Sequence, residues 1–378
     1  MSGLRILRID EARSEAIEPP DVYFSPEYGT CVEASDDAIW EVAVWEPGPI
    51  LYPYLRRKVA HEGTEDYWDA ISPYGYAGAW GAETVGLEQW QRFRAAFREY
   101  CRDNNVVSEF IRFHTLLAGR ESLCSVDTQI IAVKQGTTLS VDLSDGHEAA
   151  WTRYQGRTRT SVRKARKSGY EVRVRRAADV DTTDRQGFRA LYEGTMRQVN
   201  ARPYYLFNDS YYERLWSGLQ QNLLLGEVLS SHGEVVSAAL FFVHGNLLHY
   251  HLAGSVREHA RQGVNNLLLD AAVAWGADNG VSRFHLGGGL SEDDALFKFK
   301  AAIGREQHEF WTGQCILIPE KYEALVRSTA AMRAVEPQVL LESGYFPAYR
   351  TPQPVAEPPS EPVDAQLVEP PAELTTRA

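Results

Sequence analysis

Cysteine is scarce. Four in 378 residues, Cys31, Cys101, Cys124 and Cys315, stand far apart with no CxxC pair, and a chain of this length has no need of disulfide staples. Reduced thiols in a cytosolic protein are expected, and no metal site. Long apolar runs are missing as well: no window approaches the ~18 residues of a membrane-spanning helix. Arg5, Arg8, Asp10 and Glu11 occupy the stretch where a signal peptide has its apolar core. The expectation is therefore a cytoplasmic monomer with no transmembrane segment. Bases are also in the minority, 39 Lys and Arg against 51 Asp and Glu, for a formal net charge of −12. That balance argues against indiscriminate binding to nucleic acid. No short repeat and no extended heptad segment is visible.

What is present is a chain with 44% hydrophobic residues, ample for the cores of two or three domains. Its charge is unevenly placed. The proline-rich end, 351–378, holds five acids and one base, contributes −4, and has too few large apolar residues to fold. Between Arg153 and Arg176 ten bases face one acid, Glu171, a local +9. Taking that +9 out of the total of −12 leaves −21 for the rest, so a polyanion would be repelled from most of the surface and admitted at one strip.

Alternating or apolar runs predict strands at Ala38–Trp45, Pro49–Leu55, Phe110–Thr115, Thr128–Val133 and Thr138–Leu143. Trp90, Phe93, Phe97 and Cys101, at steps of three and four, predict a helix over Leu87–Arg102. After Asp145 the pattern restarts with a basic helix near Thr158–Ser168, capped by Thr158 or Thr160, and a strand at Tyr170–Arg175. Helices around Arg185–Val199 and Asp209–Asn222 precede strands at Leu223–Leu229, Val235–His244 and Asn246–Gly254. A helix from Gly263 to Asn279, ended by Gly280, leads to a strand at Arg283–Gly287 and a helix near Asp294–Ala302. The pattern is mixed α/β, with mixed sheets flanked by helices. Two α/β units of similar size, 1–145 and 146–316, leave room for a diverged duplication; 317–350 would pack back on the first, and 351–378 is a disordered Pro/Glu-rich tail.

Three constellations carry chemistry. Arg159, Arg163 and Arg166 share one helical face, with Lys164 and Lys167 beside them, and forked guanidinium groups hold phosphates well. A solvated surface helix is the plainer reading of the same run. The loop Arg257-Glu-His-Ala-Arg-Gln-Gly263-Val-Asn-Asn opens a helix after a strand, where backbone N–H groups and the dipole suit a phosphate. It resembles the Q/R-x-x-G-x-G/A pyrophosphate loop of acetyl-CoA-dependent GNAT acyltransferases, with Ala260 and Asn265 at the two ends of the pattern, Gly263 at its centre and Arg261 beside it. The third constellation is His285-Leu-Gly-Gly-Gly followed by a helix carrying Lys298 and Lys300, where a lysine in the first turns would stabilise an oxyanion. His249, His251 and His285 lie on neighbouring strands and could meet, as buried hydrogen-bonded residues in preference to a metal site.

The stretch Tyr192–Phe207, the helix Arg159-x-x-x-Arg-Lys-Ala-Arg-Lys-x-Gly169 and the Gly-Gly-Gly loop leading to Phe-Lys-x-x-x-Gly304 resemble the FemABX-like proteins. Ser72–Gly78 and Glu109–His114 resemble them too. The resemblance implies two tandem GNAT-like domains. It also implies transfer of an amino acid from aminoacyl-tRNA, a co-substrate and not a cofactor, to the amine of a peptidoglycan precursor or a natural-product intermediate. By resemblance, Lys300 of Phe299-Lys300 would offset the charge on the ester carbonyl, and Tyr204, Tyr205, Phe207 and His251 would bind substrate. Tyr74, Arg112 and His114 are candidates for holding the acceptor. Two other readings stand beside this one, an acyl-CoA-dependent N-acyltransferase and a regulatory protein built on an inactive duplicate.

Overall fold

The computed structural model describes residues 3–61, 65–289 and 294–352. Its strands, in chain order, are β1 (Gly3–Arg8), β2 (Ile39–Glu46), β3 (Ile50–Val59), β4 (Tyr67–Ile71), β5 (Trp80–Gly81), β6 (Val106–Arg112), β7 (Ile131–Asp142), β8 (Glu171–Arg176), β9 (Leu223–Leu229), β10 (Val235–His244), β11 (Leu247–Ser255), β12 (Arg283–Gly287) and β13 (Glu306–Ile316). The chain divides into two compact units, with breaks at 135/136 and 309/310, against the 145/146 and 316/317 drawn from sequence. No helix among the described residues is long and apolar enough to cross a membrane.

In the first unit β1, β2, β3 and β4 pair antiparallel in order, β6 joins β4 in parallel, and the end of β13 lies antiparallel to β6. The one parallel step needs a crossover, and the helix Leu87–Asp103 lies between β4 and β6 in the chain. Its apolar stripe Trp90, Phe93, Phe97 and Cys101 is fully buried, as the spacing predicts. Arg94, on the same face, is buried as well and is neutralised by Glu109 at 2.6 Å and Asp127 at 2.7 Å. Helix Pro319–Met332 buries Tyr322, Leu325, Val326 and Ala330 together with Val59 and Val107.

In the second unit β8, β9, β10 and β11 again pair antiparallel in order, β12 joins β11 in parallel after the helix Val264–Asp278, and β7 lies antiparallel to β12. The two units therefore repeat one topology: four antiparallel strands, a helix, and a parallel fifth strand. The repeat that no sequence periodicity betrays is plain in the strand order. Helix Val264–Asp278 is buried on most sides, through Val264, Leu267, Leu268, Leu269, Ala272 and Val273, and Gly280 closes it at φ +76°.

Some elements differ from expectation. The two short strands predicted at 128–133 and 138–143 are one strand, β7, whose first half is largely exposed and carries the polar Lys134 and Gln135 that imitate a turn. The basic helix runs Gly156–Lys167 and has no side-chain cap at Gln155. Thr158 instead donates to the Ala302 carbonyl and Thr160 to that of Gly156.

Candidate acyl-transfer site

Strand β11 divides the chemistry of the second unit between two faces, because its side chains alternate. Tyr250 points into the core with Phe241, Phe284 and Phe299, whereas His249 and His251 point the opposite way. Lys300 belongs to the Tyr250 face. Its ammonium lies 5.7 Å from the Tyr250 ring centre and donates to the Gly288 carbonyl at 2.6 Å.

Lys300 is 7% exposed, and burial lowers its pKa to about 8, against the opposing influence of Asp294. Asp294 also accepts from Phe297 N at 2.6 Å and so caps the short helix Ala295–Ala301. That helix places Lys300 in its last turn, not its first. The loop and the lysine meet because Gly304 N and Ile303 N fold back on the Lys300 carbonyl, turning the chain just after it. The result is a desolvated ammonium with one of its three donors fixed on the loop backbone, a group suited to a developing oxyanion.

On the other face, His249 Nδ1 and His285 Nδ1 are 3.4 Å apart. Tyr211 Oη lies 2.8 Å from His251 Nε2, and His251 packs on Phe242 at 4.1 Å. Burial and His249 lower the His251 pKa to about 3, so it is neutral. Phe207 is buried in a stack with Tyr192 and Tyr211, while Tyr204 is exposed and Tyr205 lends its carbonyl to Tyr192 Oη at 2.8 Å. Phe207 and His251 thus sit in one aromatic cluster through Tyr211, and exposed Tyr204 has its ring 5.7 Å from that of Tyr205.

The first unit brings its three candidates together. Arg112 Nε donates to the Gly75 carbonyl at 3.0 Å, next to Tyr74, whose own carbonyl accepts from Tyr28 Oη at 2.9 Å. His114 Nδ1 accepts the N–H groups of Leu116 and Leu117 at 3.0 and 3.1 Å, so its proton sits on Nε2, 3.4 Å from the buried Asp21 carboxylate. Tyr23, Tyr76 and Phe310 complete the cluster. Asp21, Tyr23 and Tyr76 carry no spacing signal in the sequence and were not foreseen.

The pyrophosphate-like loop exposes Arg257, Glu258 and Arg261, but its end packs against the basic helix. Gly263, at φ +84°, lies so near the basic helix that an added Cβ would come 2.5 Å from the Ser161 carbonyl oxygen, which leaves only glycine there. Val264, Asn265 and Asn266 in the first turn are buried, and Asn265 accepts from Ser237 Oγ at 2.8 Å. Of the phosphate face expected at Arg159, Arg163 and Arg166, Arg159 is half-buried and Arg163 and Arg166 are exposed, each with a contact on the protein. Arg159 donates to the carbonyls of Thr152 and Tyr154, Arg163 covers the Trp151 ring at 5.5 Å, and Arg166 pairs with buried Asp270 at 2.7 Å. Lys164 and Arg261 are joined at 3.2 Å, ammonium to carbonyl, and Lys167 is exposed.

Residues 153–301 match the family of the acetyltransferase (GNAT) domain. No curated protein matches the chain in sequence. Among solved structures it is similar to FemX, with a TM-score of 0.63 at 12% identity over 85% of this chain and 99% of that one. It is also similar to L-PGS from Bacillus licheniformis, with 0.55 at 13% over 81% and 90%. The C-terminal domain of a putative lysylphosphatidylglycerol synthetase from Agrobacterium fabrum gives 0.53 at 15% over 88% and 96%. At such identities the likeness is one of fold.

Proposed function

We propose that the chain, with a GNAT-domain match over residues 153–301 and a fold similar to that of FemX, is an acyltransferase that moves an amino acid from aminoacyl-tRNA onto an amine. The choice of donor rests on one observation, the buried first turn of helix Val264–Asp278. A CoA pyrophosphate needs those first-turn N–H groups open to it, and here the first-turn residues Val264, Asn265 and Asn266 are buried, with Gly263 packed against Ser161 of the basic helix. An ester carried in on RNA needs no such pocket.

In the reaction the acceptor nitrogen attacks the ester carbonyl, the C–N bond forms, the C–O bond to the ribose breaks, and the ribose hydroxyl keeps the proton that the amine gives up. Lys300 donates to the carbonyl oxygen as it becomes an oxyanion, an interaction of roughly 2.7–4 kcal/mol for such a donor. The acceptor, an amine-bearing small molecule or a peptidoglycan precursor, is assigned to the Tyr74, Arg112 and His114 side, where a guanidinium and a ring-lined surface suit an anionic or planar group.

Purified protein with charged, radiolabelled tRNA and a panel of amines, beside acetyl-CoA controls, tests the reading. Ribonuclease-sensitive amide formation is the expected result. Acetyl transfer indifferent to ribonuclease would replace it with the acyl-CoA reading, which the match to an acetyltransferase domain favours.

A further inference from the structure

The basic helix carries cations on two flanks, and of these flanks only the one with Arg166 pairs with an acid among the described residues. Arg159 donates to the Thr152 and Tyr154 carbonyls, exposed Arg163 covers Trp151, and half-exposed Arg166 is neutralised by Asp270. On the opposite flank Arg157 and Lys164 stand exposed, seven positions apart and so one above the other on the helix. Each reaches a neighbouring segment that adds a further exposed cation. Arg157 Nη2 lies 3.5 Å from the Lys298 carbonyl and Lys164 Nζ lies 3.2 Å from the Arg261 carbonyl. Lys298, Arg157, Lys164 and Arg261 therefore form a row. Unlike Arg166, none of the four has an ion-pair partner among the described residues.

Four like charges in line, with no acid in the helix Gly156–Lys167 to offset them, repel one another unless an anion lies along them. The two residues on the helix are separated by about 10 Å of axial rise, room for two or three successive phosphates of a nucleic-acid strand. The row ends at Lys298, two positions from Lys300 on the same short helix, one lysine exposed and the other buried. No exposed large apolar side chain lies on the basic helix, on 257–264 or on 295–301, so the row lacks the apolar anchors of a membrane-surface helix.

We propose that Lys298, Arg157, Lys164 and Arg261 form the track for the sugar–phosphate backbone of the RNA donor, leading its acceptor end to Lys300. The inference rests on the aminoacyl-tRNA reading, and it moves the RNA contact off the Arg159, Arg163 and Arg166 face. Four phosphate contacts give a slope of log affinity against log salt of roughly −3 to −4, a loss on the order of 100-fold between 50 and 200 mM.

The test is binding of uncharged tRNA across that salt range, for the wild type, R157A/K164A/R261A/K298A and R159A/R163A. Thermal melting accompanies each variant, as a check that it is folded. A slope flattened nearly to zero in the first variant and unchanged in the second supports the row. Flattening by the second variant alone overturns it. So does a first variant that binds tRNA normally and loses only binding to phosphatidylglycerol vesicles. Product that is ribonuclease-sensitive with row-independent tRNA binding sinks the row and leaves the transfer reading standing. Row-dependent binding without any transfer product does the reverse.

Discussion

Arg166, half-exposed on the basic helix, reaches Asp270, fully buried on helix Val264–Asp278, with Nη2 2.7 Å from Oδ2. The same carboxylate accepts from His147 Nε2 at 2.8 Å and lies 3.4 Å from Tyr154 Oη. One buried acid thus fastens three side chains around the helix that closes the Gly263 loop. Asp270→Asn is expected to cost about 2–4 kcal/mol, because it leaves buried donors poorly matched. Arg166→Ala should cost less than about 1 kcal/mol, since water replaces an exposed guanidinium. Denaturant unfolding of both variants and of the double mutant measures the difference; equal losses would mean that Asp270 is not the anchor.

Lys300→Met should lower kcat about 10²–10³-fold with little change in Tm, a loss of transition-state stabilisation. A variant retaining wild-type kcat would remove Lys300 from the chemistry.

The lowered pKa of Lys300 gives two opposite pH trends. The oxyanion needs the protonated ammonium, so activity should fall as pH rises through about 8. Stability should rise over the window from about 8 to the ordinary lysine value of 10.5, because there the unfolded chain binds the proton that the folded one has released. Asp294→Asn keeps a capping side chain but removes the charge that raises the pKa of Lys300. Its activity limb should therefore move to lower pH. An unshifted limb would separate Asp294 from the lysine.

His251 makes an acid-side prediction. Its folded pKa of about 3 lies below the unfolded 6.5, so stability is lost as pH falls from 6.5 toward 3, with a slope of at most about 1.4 kcal/mol per pH unit. His251→Gln keeps a polar partner for Tyr211 and should flatten that part of the stability profile, as read by urea unfolding at pH 4.5 and 7.

Gly263→Ala puts a methyl group 2.5 Å from the Ser161 carbonyl oxygen in a left-handed conformation. A loss of more than about 1 kcal/mol is expected, with faster amide exchange along Gly156–Lys167. Unchanged exchange would mean that the helix is not seated there.

Periodicity found most of the elements. The stripe Trp90, Phe93, Phe97 and Cys101 and the strands Leu223–Leu229 and Val235–His244 read correctly, because one buried face fixes a period of 3.6 or 2. The exposed half of β7 did not, since a segment held by backbone pairing with both faces open to solvent needs no apolar alternation. Lys300 could be picked out by its motif and its Gly-rich approach, while the burial that tunes it comes from Tyr250, fifty positions earlier.

Composition and spacing by themselves determined the acidic total, the single basic segment, the mixed α/β pattern and the helix on which the cations lie. Which of those cations is neutralised by an acid was decided only by tertiary structure. Helical spacing places Arg159, Arg163 and Arg166 on one side and Arg157 and Lys164 on the other, and it says nothing of what packs against either. Asp270, more than a hundred positions away, claims Arg166, and the carbonyls of Lys298 and Arg261 line up the opposite row. Charge is a property of the residue; whether it is available to a ligand depends on neighbours that only folding supplies.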